Sequence, residues 1–158
     1  MRKIGIEIKW GILFVIIQLL WMYGERVAGL HDENIEFHAK ATNFFALVAI
    51  AVYVVALLDK RKNTYHGKMT WKQGFIAGLI ITAVVTVLTP LSQYLTSSVI
   101  SPNHFENMIS YTVDNGIKTQ EAAEAYFNLK SYMIQSIIFA PVIGIVTSAV
   151  VAIFIRKK

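Results

Sequence analysis

QGFIAGLIITAVVTVLTPLSQYLTSSVISPNHF, residues 73–105, runs for 33 positions without an Asp, Glu, Lys or Arg. An α-helix rises about 1.5 Å per residue, so roughly 20 apolar residues cross a hydrocarbon core about 30 Å thick. The stretch is more than long enough. Within it, residues 76–88 are apolar on every side, broken only by Gly, Ala and Thr. A helix on the surface of a water-soluble domain keeps a polar stripe, with apolar positions recurring every three or four residues. Lipid makes a different demand: each backbone amide pairs within the span, and no side is wet. The stretch predicts a transmembrane helix.

Three further charge-free stretches flank it. Residues 10–24, 41–58 and 131–155 hold 15, 18 and 25 positions. The first is long enough only if it continues to Gly29, with Glu25 and Arg26 near its end. Charged residues make up 16% of the chain, against a usual share of about 25%, which fits the same reading. The expected fold class is all-α, an integral membrane bundle of four transmembrane helices in a single domain over residues 1–158. Its spans are expected at about 8–29, 41–58, 71–99 and 131–155.

Basic residues are retained in the cytoplasm, so their placement sets the orientation. Arg2, Lys3 and Lys9 precede the first span; Lys60, Arg61, Lys62, Lys68 and Lys72 lie between the second and third; Arg156, Lys157 and Lys158 follow the fourth. Only Arg26, Lys40, Lys118 and Lys130 fall on the other side. Both termini are therefore expected in the cytoplasm. Glu25, Asp32, Glu33, Glu36, Glu106, Asp114, Glu121 and Glu124 gather on the outer side. Val27-Ala28-Gly29 resembles a signal-peptidase site, but Glu25 and Arg26 directly precede it, so the first span is expected to remain.

The inner segment 59–72 reads as a basic loop with turn-prone Lys62-Asn63 and His66-Gly67. It can lie against anionic lipid headgroups, each nearby Lys or Arg contributing on the order of 1 kcal/mol. A solvated loop that sets topology explains the same charges. The outer segment 101–130 reads as helical. Ser101-Pro102 looks like a helix start, with Phe105, Met108, Ile109 and Val113 on one face and Asp114-Asn115-Gly116 as a stop. That makes a short amphipathic helix in the second outer loop. Thr119 can cap a second helix, which is free to run unbroken into the last span.

Small residues recur every fourth position as Gly74, Gly78, Thr82 and Thr86, and as Ala140, Gly144, Ser148 and Ala152. Such ridges let helix backbones approach closely in lipid. The third and fourth spans should pack together, with Gly78 facing Ala152, Thr82 facing Ser148 and Thr86 facing Gly144. Pro90 and Pro141 then lie at similar depth as kinks. Facing broken helices mark binding sites in transporters, although isolated prolines also occur in spans without any such role.

Glu25 lies 16 residues beyond Lys9, roughly 24 Å along a helix, just inside the outer hydrocarbon boundary. An acid there is a functional candidate, with Lys40 or a polar residue of another span as its partner. The plainer reading is an interfacial ion pair at the helix end, with Arg26 reaching the headgroups. His31, His38 and His104 share the outer side with Asp32 and other acids. His31-Asp32-Glu33-Asn34 and His104-Phe105-Glu106-Asn107 are similar strings. Two histidines plus carboxylates can bind a divalent metal, but the spacing matches no zinc helix motif, and solvated loop residues are the plainer reading.

The absence of cysteine excludes disulfides, Cys-based zinc sites and thiol-disulfide exchange, and with them the cysteine-relay membrane oxidases. No GxSxG, HExxH or glycine-rich phosphate loop occurs. Neither an enzyme, a cofactor nor a nucleic-acid partner is expected.

Several strings resemble a family of small bacterial membrane proteins, domain of unknown function 4199. They include Lys9-Trp10-Gly11, Gly29-Leu30-His31-Asp32-Glu33, Thr42-Asn43-Phe44-Phe45, Leu58-Asp59-Lys60-Arg61-Lys62, Trp71-Lys72-Gln73-Gly74-Phe75, Pro90-Leu91-Ser92-Gln93-Tyr94 and Ala125-Tyr126-Phe127-Asn128. The resemblance covers the whole chain and implies a multi-pass membrane location, without an activity or catalytic residues. Two functional readings stay open. The first is a non-enzymatic inner-membrane protein that binds a membrane partner or stabilises an envelope assembly. The alternative is a small oligomeric transporter or channel. Gln18, Gln93 and Gln135 are too few to outline an ion path.

Overall fold

The computed structural model describes residues 4–157. Arg2, Lys3 and Lys158, which contribute to the charge argument, lie outside the described residues. Among those described, four helices are long and apolar enough to cross a membrane. They are α1 (Gly5–Val27), α2 (His38–Tyr65), α3 (Trp71–Leu95) and α6 (Leu129–Ile155). Two short helices, α4 (His104–Asp114) and α5 (Gln120–Tyr126), lie between α3 and α6. The basic end of the bundle carries the α2–α3 turn and the end of α6. The acidic end carries α4, α5 and the α1–α2 connection.

Large apolar side chains face outward: Phe154 is 82% exposed and Val87 78%. The interior mixes small and polar groups such as Ala56, Ala77, Thr82, Ser148 and Ala152 with Tyr53, Leu57, Met69 and Ile81. A water-soluble bundle does not coat its long helices with large apolar side chains. This is a membrane protein, all-α and bundled as the hydropathy predicts.

Helix boundaries follow local chemistry. Thr70 and Gln73 form a reciprocal capping box at the start of α3, the threonine oxygen accepting from the Gln73 amide and the Gln73 side chain accepting from the Thr70 amide. Thr119 caps α5 by accepting from the Ala122 amide. Gly116, at φ +64°, follows the end of α4, where a left-handed residue favours glycine. The chain leaves helical geometry at Phe127, and Asn128 caps α6, so the second outer helix does not run into the last span. Nor do Ser101 and Pro102 start α4. Ser101 closes a π-helical turn over Thr96–Ile100 by donating its amide to the Thr96 carbonyl, and α4 begins at His104.

The expected basic loop from Asp59 is largely helix. α2 continues two turns further because its charged residues find partners on neighbouring helices. Asp59 accepts from Lys9 Nζ and Trp10 Nε1, Lys60 pairs with Glu7, and Arg61 donates to the Ile155 carbonyl at 2.8 Å. Lys62-Asn63 therefore forms no turn. His66 and Gly67, both at positive φ, do.

α3 and α6 pack along their small-residue faces, as neighbours, but one helical turn away from the expected register. Gly74 faces Ala152, Gly78 faces Ser148, and Thr82 faces Gly144. Both ladders repeat every four residues, so the sequence permits either alignment. The basic end decides between them: Met69 and Lys157 exchange two backbone hydrogen bonds of 2.9 Å. Toward the other end of the pair, Gln93 donates to the Ser136 hydroxyl at 2.8 Å.

Candidate functional site: a carboxylate ringed by three histidines

Glu25 ends the buried face of α1 at the acidic end and is 4% exposed. Its side chain is fixed from two directions. Trp21, one turn back, donates Nε1–H to Oε1 at 2.6 Å, and the Thr42 hydroxyl bridges both oxygens at 3.0 Å. Oε2 faces two imidazoles. His31 Nε2 lies 3.4 Å away and His38 Nδ1 3.3 Å away.

The third histidine comes from far along the chain. His104, the first residue of α4, places its ring centroid 4.7 Å from both the His31 and the His38 rings. Local ties hold this geometry. Asn107, one turn into α4, donates to the His31 carbonyl at 2.8 Å, and Arg26 donates to the Ile100 carbonyl. The two similar strings that begin at His31 and His104 are thus in direct contact.

His31 and His104 are buried, at 1% and 4% exposure, which departs from the expectation of solvated loop residues. Nδ1 of His31 and of His104 has no hydrogen-bond partner, and His38 Nδ1 has only the Glu25 carboxylate 3.3 Å away. Burial, with the neighbouring His38 and His31, holds the His104 imidazole well below its ordinary value, at about 3. It is neutral at physiological pH. Asp32 stands apart: it is exposed and accepts from the Glu33 amide in the turn. Arg26 is exposed and forms no pair with Glu25. Lys40 is also exposed, lying over Phe37 rather than on Glu25.

The family's sequence profile, described as protein of unknown function (DUF4199), matches residues 9–157. This chain belongs to the DUF4199 family. No curated protein and no solved structure matches it. The chemistry of this DUF4199 chain must therefore be read from its own residues. One carboxylate and two imidazoles, from α1, the connection after it and α2, bring ligand atoms within 4.8 Å of one another, and the His104 ring of α4 lies against both imidazoles.

Sequence reading missed a second buried pair. Glu7 and Lys60 are each 1% exposed, and Lys60 Nζ lies 2.8 Å from Glu7 Oε1. Lys60 is therefore no headgroup ligand. Between the two polar ends, α1, α2, α3 and α6 line a partly open cavity of about 350 Å3 that takes in Gln18, Thr89, Gln93 and Ser136. Tyr53 also lines it, its hydroxyl hydrogen-bonded to Thr82 at 2.8 Å.

Proposed function

We propose that this DUF4199 protein is a non-enzymatic component of the bacterial inner membrane, with both termini cytoplasmic, that works by presenting a folded acidic layer to a partner in the envelope. One observation carries the reading: α4 and α5 are packed back onto the bundle instead of hanging free. His104, Thr112, Ala123 and Phe127 are buried beneath them, and Phe105 and Tyr132 meet edge to face at 5.0 Å. Outward, the layer bears Glu106, Asp114, Glu121 and Glu124, joined by Asp32, Glu33 and Glu36 of the neighbouring connection. Ile117, 59% exposed, and Tyr126, 42% exposed, supply apolar anchors among these acids. A complementary partner is basic around a small apolar patch. A second copy of the chain would have to meet this face with its own acids, so a different protein fits better.

At the cytoplasmic end, Lys62, Lys68 and Lys72 are exposed and suit anionic headgroups. A transporter is less well supported. The cavity is lined mostly by apolar side chains, and the Glu7–Lys60 pair is buried between α1 and α2. Photo-crosslinking from positions 117 and 126 in intact cells tests the reading. It expects one recurrent heterologous protein at both positions. Self-crosslinks alone would remove it.

A further inference from the structure

We propose that Glu25, His31, His38 and His104 form a binding site for a divalent transition-metal ion of the zinc class. The site is independent of the partner reading above.

Distances argue first. A charge-assisted hydrogen bond between an imidazole and a carboxylate closes to about 2.7–2.9 Å. Here His31 Nε2 and His38 Nδ1 stand 3.4 and 3.3 Å from Glu25 Oε2. Zinc–nitrogen and zinc–oxygen bonds of about 2.0–2.2 Å give a tetrahedral edge of about 3.3–3.5 Å. The two separations match that edge. Glu25, His31 and His38 offer ligand atoms within 4.8 Å of one another, so contraction of the widest edge completes one face of a tetrahedron. His104, its ring centroid 4.7 Å from those of His31 and His38, is the imidazole placed to supply the fourth corner by turning a nitrogen toward the ion.

Satisfaction argues second. His104 Nδ1 is buried without a hydrogen-bond partner and His38 Nδ1 has only the Glu25 carboxylate at 3.3 Å, and an unsatisfied buried polar group costs about 1–3 kcal/mol. An imidazole binds a metal through a nitrogen lone pair, and the carboxylate offsets half of a divalent charge. Glu25 is already oriented from behind by Trp21 and Thr42, the kind of outer support that metal ligands have. The donor set selects among ions. Imidazole-rich sites suit zinc and its transition-metal neighbours, whereas calcium and magnesium require oxygen cages.

The test uses the full-length protein purified in detergent, stripped with EDTA and titrated with zinc against a chromophoric chelator. The proposal expects a single tight equivalent per chain, unaffected by excess magnesium or calcium. Glu25→Gln and His104→Gln each weaken binding by more than about 100-fold, beyond the 10–100-fold that loss of an outer-shell partner produces. His66→Gln, at the opposite end, changes nothing. Should the site variants fail to fold, cobalt(II) added to the stripped wild-type protein decides: an intense visible spectrum of tetrahedral cobalt supports the site, and a weak octahedral one overturns it. Zinc bound no more tightly by wild type than by a folded His31→Gln/His104→Gln variant also overturns it.

Discussion

Glu7 and Glu25 lie eighteen residues apart on α1, five full helical turns, so both project into the bundle from one face. Their partners on α2, Lys60 and Thr42, are separated by the same eighteen residues. The two antiparallel helices are thus tied by a buried glutamate at each end, about 27 Å apart, close to the thickness of a hydrocarbon core. One acid meets a fixed cation. The other meets a threonine, a tryptophan and two histidines, with the His104 ring against both, which leaves it able to take a cation from solution.

Breaking the basic-end tie should be costly. Removing one member of a buried ion pair leaves a charge in low dielectric, so Lys60→Met is expected to destabilise by about 3–5 kcal/mol. The double variant Glu7→Leu/Lys60→Met should recover part of that loss. Reversible unfolding in mixed micelles measures both. A single-variant loss below about 1 kcal/mol would mean that water reaches the pair.

The α3–α6 register gives a second test. A Cβ added at Gly74 stands 3.3 Å from Ala152 Cβ, close to the span of a disulfide, about 3.5–4.5 Å. Oxidation in membranes should therefore join Gly74→Cys to Ala152→Cys, and should leave Gly78→Cys with Ala152→Cys unjoined. A Cβ at Gly78 would stand 2.6 Å from Ser148 Cβ, so Gly78→Leu should cost about 1–3 kcal/mol through overpacking.

These two cases mark how far the sequence could be read. Four spans, and α3 beside α6, follow from charge-free length and small-residue spacing. The register does not, because both ladders repeat every fourth residue and the contact that separates the alternatives, Met69 with Lys157, is made by backbone atoms. Glu25, His31, His38 and His104 each stood out singly, but their convergence depends on how α4 docks. Lys60 looked like a loop residue because a charged run after an apolar one reads as a span end. Its helix continues only because Glu7, Lys9 and Ile155 supply partners.

Acid should weaken the stripped protein. Burial holds His104 at about 3, below its ordinary 6.5, so the folded state excludes a proton that the unfolded chain binds. The contribution of His104 to stability is complete above pH 6.5 and declines as the pH falls toward 3. Glu25 from α1, His31 from the connection and His38 from α2 face the same ring, so the slope belongs to the cluster. Thermal unfolding in EDTA across this range should flatten in His104→Gln.

Sidedness is directly accessible because the chain has no cysteine. With cytoplasmic termini, an impermeant maleimide applied to intact cells should label Asn115→Cys and spare Lys68→Cys until the cells are opened. The reverse pattern would invert the orientation. Both positions are exposed in the structure, so labelling reports the side and not burial.

The most direct measurement is the X-ray absorption spectrum of the zinc-loaded protein at the zinc edge. Convergence of Glu25 with His31, His38 and His104 predicts a four-coordinate ion with ~3 imidazole nitrogens and ~1 oxygen at ~2.0–2.1 Å. A six-coordinate shell of water-like oxygens, without imidazole scattering, would contradict it.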